Sequence, residues 1–162
     1  MHAAGVVVCP QLAQQVCGEV RGGRWLHDTL REIWDRHFRD TPRVNAVQIS
    51  FGAPWKTRLG SITLSEDQRT TYIQVNALLR LPEAPDYVAA VTVAHEMVHY
   101  AHGFGSPLPR RYKHPHRGGI VRRELIRRGM ERDYRQYDEW VYAHWYDFYD
   151  LWMNQEARPT SA

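Results

Sequence analysis

Between residues 24 and 39, Trp25, Leu26, Leu30, Ile33, Trp34 and Phe38 recur at helical spacing, with Asp28, Arg31, Glu32, Asp35 and Arg36 mostly opposite. This predicts a helix from Arg24 to Arg39, closed by Thr41-Pro42. The pattern then changes period. Asn45 to Phe51 alternates through Val47, Ile49 and Phe51, Leu59 to Leu64 alternates more weakly, and Thr70 to Val75 is rich in β-formers. Ser65-Glu66-Asp67-Gln68 has the composition of a hairpin turn, so a small, mainly antiparallel sheet of three to four strands is expected, with room for one parallel pair.

A second helix is predicted from Asp86, as N-cap, to His102, with Gly103 and Gly105 as stop signals. Val88, Ala89, Ala90, Val91, Val93, Ala94, Met97 and Val98 make it apolar nearly all round, as in a helix buried in a core. A short helix follows from Gly119 or Ile120 to Arg128, with Ile120, Val121, Leu125 and Ile126 inward and Gly129 at its end. The last helix, 132–154, carries a stripe of Tyr134, Tyr137, Val141, Trp145, Phe148 and Trp152, which suits packing against the rest of the domain. The fold class is therefore α+β, with an N-terminal helix, a small sheet, a buried central helix and C-terminal helices. The chain divides into an N-terminal segment of uncertain structure (1–23, with 11–20 a candidate short helix), a domain (24–130), the aromatic helix (131–154) and a disordered tail (155–162).

A chain of 162 residues, 43% apolar and 24% charged, has globular composition and needs no disulfide framework. No apolar run is long enough to span a bilayer, and the N-terminus lacks the basic flank of a signal peptide. Cys9 and Cys17 match no common zinc spacing and read as reduced thiols, which points to the cytoplasm. Net charge is only +3, yet ten Lys/Arg against three acids fall between Arg110 and Arg135. Arg110, Arg111, Arg122, Arg123 and Arg127 are the candidate contacts of a polyanion such as DNA; a merely solvated helix face is the alternative.

Four polar residues interrupt the apolar helix: His95, Glu96, His99 and His102. Burying them without partners is costly, so they call for a reason. His95-Glu96-Met97-Val98-His99 is HExxH. Residues i and i+4 share a helix face, so the two imidazoles converge on one ion, while Glu96 points aside to a water on that ion. A catalytic zinc needs a third protein ligand and an open position. The candidates are His102, His114, His116, Glu124 and Glu139. His102 would need a sharp bend in the helix. His116 is favoured because it follows a loop and precedes a short helix whose Ile120 and Val121 can anchor it; His114 is the main alternative.

The stretch YIQVNALLRLPEAPDYVAAVTVAHEMVHYAHG resembles the SprT-like metallopeptidases and the related YgjP-like and WLM groups. The resemblance covers about residues 24–130. It implies a zincin-like domain, one Zn²⁺ held by His95, His99 and His116, Glu96 as the base, and Ile120 at the apolar position four residues after the third ligand. It implies zinc-dependent hydrolysis of a polypeptide; such chemistry needs a further donor for the oxyanion, and Tyr112, His114, Arg117 and Tyr137 are the candidate oxyanion or substrate contacts, none preferred. An extended substrate pairs with an exposed edge strand, 58–64 or 70–75. SprT-like proteins include enzymes that digest proteins crosslinked to DNA, so the alternative is a nucleic-acid-associated zinc protein whose protease activity is DNA-linked or absent.

Overall fold

The computed structural model describes residues 19–156. Both cysteines, nearly all of the candidate helix at 11–20, and the tail beyond residue 156 lie outside the described residues; 19 and 20 have no regular structure.

The N-terminal helix, α1, is Gly23–His37, and its buried residues Leu26, Leu30, Ile33 and Trp34 follow the predicted stripe. It stops before Thr41-Pro42, whose backbone folds back so that Thr41 O accepts the Trp34 indole N–H at 3.0 Å. Three strands follow: β1 (Ala46–Phe51), β2 (Gly60–Leu64) and β3 (Thr70–Val75). Their order is β1-β3-β2, with β1 parallel and β2 antiparallel to β3. The sheet is thus mixed, with one antiparallel pair and the one parallel pair for which the sequence left room, so it is not mainly antiparallel. The cause lies in residues 52–59, which carry the chain across the end of β3 instead of turning back beside β1. Gly52 N–H donates to Val75 O and Asn76 N–H to Leu59 O, so the crossing segment is bonded to the strand it passes. Ile49, Ile73 and Ile62 fall in one line across the three strands.

The central helix, α2, is Asp86–Ala101, and twelve of its sixteen residues are buried. Its N-cap is Pro85, not Asp86; the Asp86 side chain instead takes a guanidinium N–H from Arg21 at 2.7 Å. The last two helices are α3 (Ile120–Arg127), with Val121 and Leu125 buried, and α4 (Glu131–Glu156). Residues 155 and 156 therefore continue α4 and are no part of a tail. The stripe of α4 packs on α2, with Trp145 and Phe148 buried and the Trp145 indole donating to Lys56 O at 2.8 Å. The result is an α+β fold of four helices and a three-stranded mixed sheet among the described residues. None of these helices is long and apolar enough to cross a membrane.

Candidate metal centre

Polar side chains on an apolar helix are best placed at an opening in its packing, and His95, Glu96 and His99 share one. In α2 that opening is a cleft of about 570 Å³ bounded by β2, the 104–116 segment and α4. His95 and His99, one turn apart, face it with ring centroids 4.8 Å from each other. His116 arrives from outside the helix, with its ring 5.5 Å from His95 and 4.6 Å from His99. One ligand nitrogen from each of the three lies within 4.8 Å of the other two.

The path to His116 is set locally. Helix α2 ends through Gly103, at φ +77°, where a Cβ would also stand 2.5 Å from the Leu108 and Pro109 carbonyl oxygens. Phe104 N–H closes the turn on His99 O, Ser106 Oγ donates to Tyr100 O, and Arg111 N–H donates to His102 O. The segment thus runs back along the helix end. After His116, Gly118 and Gly119 both take left-handed backbone, at φ +66° and +69°, and turn the chain into α3. Val121 and Leu125 anchor α3; Ile120 is half-buried and borders an outer hollow with Tyr112, a correction to its expected anchoring role.

Burial governs the electrostatics. It pushes His95 down to about 4, helped by His116, and His99 down to about 3, helped by His95, His116 and His102. Both rings are neutral at pH 7 and so present lone pairs. The buried Nδ1 of His99 has no hydrogen-bond partner among the described residues. An orphaned nitrogen in a cluster of three imidazoles fits a bound divalent cation of borderline softness. Glu96, 5% exposed in the same cleft, is pushed up to about 8 by burial, with Arg58 pulling the other way.

The other sequence candidates separate clearly. His102 caps α2, is 1% exposed, and sits 3.8 Å from Glu124 Oε1 with its ring against Tyr112, away from the triad. Glu124 accepts from Arg127 and Arg128, and Glu139 is an exposed residue of α4. His114, Tyr112 and Arg117 border outer hollows rather than the cleft. Tyr137 does line the cleft, and burial raises its hydroxyl so that it stays protonated. The basic stretch is partly spent inside the fold. Arg127 pairs with Glu124, Arg128 with Glu124 and Asp40, Arg123 donates to Gly118 O, and Arg110 donates to Tyr112 O and Lys113 O. Arg127 pairs with Glu124 yet stays 58% exposed, and Arg110, Arg111, Arg122 and Arg123 are exposed too.

Phe104 was not legible in the sequence as a cleft residue, and Arg58, Gly60 and Ser61 were expected only as part of a candidate edge strand, 58–64. Arg58, Gly60 and Ser61 arrive because β2 is the sheet edge beside α2, and Phe104 because the helix ends in a tight turn. Compared with protein-family models, curated proteins and solved structures, the chain matches none.

Proposed function

We propose that this chain is a zinc-dependent metallopeptidase of the HExxH kind, with a zincin-like arrangement of edge strand and metal-binding helix. The observation that carries the reading is the buried carboxyl of Glu96 in the same cleft as three convergent imidazoles. His95, His99 and His116 hold the ion. When bound, zinc polarises a substrate carbonyl and makes water nucleophilic near pH 7. Glu96 takes the proton of the attacking water and passes it to the leaving amine; a dication held by the three imidazoles would favour the carboxylate form this needs, against the upward push of burial in the metal-free cleft. Tyr137 keeps its hydroxyl proton and donates it as a hydrogen bond to the developing oxyanion. An extended peptide pairs with β2, whose Gly60, Ser61 and Ile62 border the cleft. Strand β3, the other candidate, is central and has no free edge. The test is cleavage of casein by zinc-loaded wild type and Glu96→Gln. Wild type cuts, and Glu96→Gln binds zinc without cutting; zinc-loaded wild type that cuts neither casein nor a peptide library refutes the reading.

A second reading rests on the shallow hollow lined by Arg110, Arg111, Tyr112, Lys113 and His114, next to the ligand His116. Tyr112 is 41% exposed among these cations, an arrangement suited to a nucleic-acid backbone with one stacked base. DNA retention that falls steeply with salt and weakens in Tyr112→Ala supports it; no retention at low salt ends it.

A further inference from the structure

The cleft holds one permanent cation, Arg58, and the fold fixes its place. Asn76, fully buried, donates from Nδ2 to Trp55 O at 2.6 Å and to Arg58 O at 2.9 Å, while its N–H donates to Leu59 O at 2.7 Å. Residues 55–59 are thereby pinned to the end of β3. The Trp55 ring lies over Gly52, where a Cβ would stand 2.4 Å from it. The Arg58 guanidinium rests on that ring, 4.5 Å from the centroid. The nearby Lys56 is already neutralised by Asp150 at 3.2 Å. Arg58 has no ion pair or hydrogen-bond acceptor for its guanidinium among the described residues, and the one carboxyl that shares its cleft is Glu96. Arg58 is exposed, its backbone is held and its guanidinium is stacked, which suits it to receive a substrate carboxylate: the planar fork binds one at two points, and stacking on Trp55 reduces the rotamer freedom lost on binding.

Its place also sets the side of the substrate it meets. Arg58 precedes β2 by two residues, and a Cβ at Gly60, the first residue of β2, would touch Glu96. Glu96 is the group that protonates the leaving amine under the peptidase reading, on which this inference rests. We propose that Arg58 is a specificity residue that binds a carboxylate on the leaving-group side of the scissile bond. That carboxylate is supplied by an Asp or Glu side chain or by the free C-terminus of a short substrate.

The experiment compares one fluorogenic peptide in five forms, on zinc-loaded protein. Three carry Glu, Gln or Lys two residues after the scissile bond with an amidated C-terminus. Two carry Gln there and end at that residue, as free carboxylate or amide. In wild type, kcat/KM for Glu over Gln, or for free acid over amide, is expected to be about tenfold or more, chiefly through KM; which pair discriminates identifies the source. In Arg58→Gln the ratio collapses to about one, and in Arg58→Glu the Lys peptide overtakes the Glu peptide. An unchanged ratio in Arg58→Gln, or no discrimination by wild type, overturns the proposal. Binding of the same peptides to zinc-loaded Glu96→Gln, read by Trp fluorescence, separates the two claims. Arg58-dependent preference in binding with no cleavage by wild type keeps Arg58 and refutes the peptidase; cleavage without preference does the reverse.

Discussion

Gly60 and Glu96 touch across the floor of the cleft: a Cβ added at Gly60 would stand 2.6 Å from Glu96 Oε1 and 2.8 Å from Thr92 Cγ2. Space alone imposes this glycine, since it lies in extended backbone of β2. Glu96 Cγ would lie at 3.2 Å from the same Cβ, so turning the carboxyl alone does not clear the contact. Gly60→Val is therefore expected to push the carboxyl off line and lower kcat about a hundredfold, as a displacement of about 1 Å does in a positioned site. The imidazoles are untouched, so zinc stoichiometry by atomic absorption stays near one. Loss of metal together with activity would place the damage elsewhere.

His116 and His114 stand two residues apart, yet only His116 joins the His95–His99 cluster. His116→Ala is expected to lose stoichiometric zinc on dialysis, whereas His114→Ala retains it. The reverse result would transfer the third position to His114. His102→Gln also retains zinc, because its buried ring faces Glu124 and Tyr112.

Tyr137 is the one oxyanion candidate that the fold brings into the cleft. Tyr137→Phe removes a single donor and is expected to lower kcat by about 10²-fold with KM little changed. An equal fall in catalysis from Tyr112→Phe would contradict this division of roles.

In the metal-free protein Glu96 links folding to pH. Its folded value, about 8, lies above its ordinary 4.5, so the folded state binds the extra proton between those limits. The contribution is complete below about pH 4.5 and is lost as pH rises through about 8. Relative to Glu96→Gln, which cannot titrate, chelator-treated wild type is expected to lose stability on the order of a few kcal/mol from pH 5 to 8. Urea midpoints measured at several pH values check this. Parallel curves for the two proteins would show that Glu96 is not buried as a carboxyl.

The helices were legible because periodicity is local: α1, α2 and α4 each announce their buried face within a few turns. The HExxH pair was legible for the same reason, as i and i+4 meet on any helix. Which strands form the parallel pair was not, because the β1–β3 partnership depends on residues 52–59 crossing the end of β3, and Asn76 holds that crossing from a different element. The same non-locality hid Phe104 from the cleft, and left open whether 58–64 or 70–75 is the edge strand beside it. Asp86 misled as an N-cap because its short polar chain suits that role, while Arg21, sixty-five residues earlier, claims the carboxylate instead.

Arg21 also yields the sharpest stability test. In sequence, Arg21 falls in the N-terminal segment of uncertain structure, next to Gly22-Gly23. In the fold Arg21 is 7% exposed and its guanidinium donates to Leu79 O at 2.8 Å, Leu81 O at 2.7 Å and Ala84 O at 2.6 Å, besides Asp86. It thus ties the start of α1 to the short 3₁₀ turn at Ala77–Arg80 and to the entry of α2. Two partners compete to explain its worth, the carboxylate and the carbonyls. The Asp86 side chain is 74% exposed, so its ion pair is screened and contributes at most about 1 kcal/mol. Three carbonyls left without a donor cost about 1–3 kcal/mol each where water cannot reach them. Arg21→Met is therefore expected to destabilise by about 3–5 kcal/mol in urea, Asp86→Asn by under about 1 kcal/mol, and Arg21→Lys to recover only part, since an ammonium cannot span the three carbonyls. Equal losses in Arg21→Met and Asp86→Asn would assign the stabilisation to the ion pair and overturn the carbonyl account.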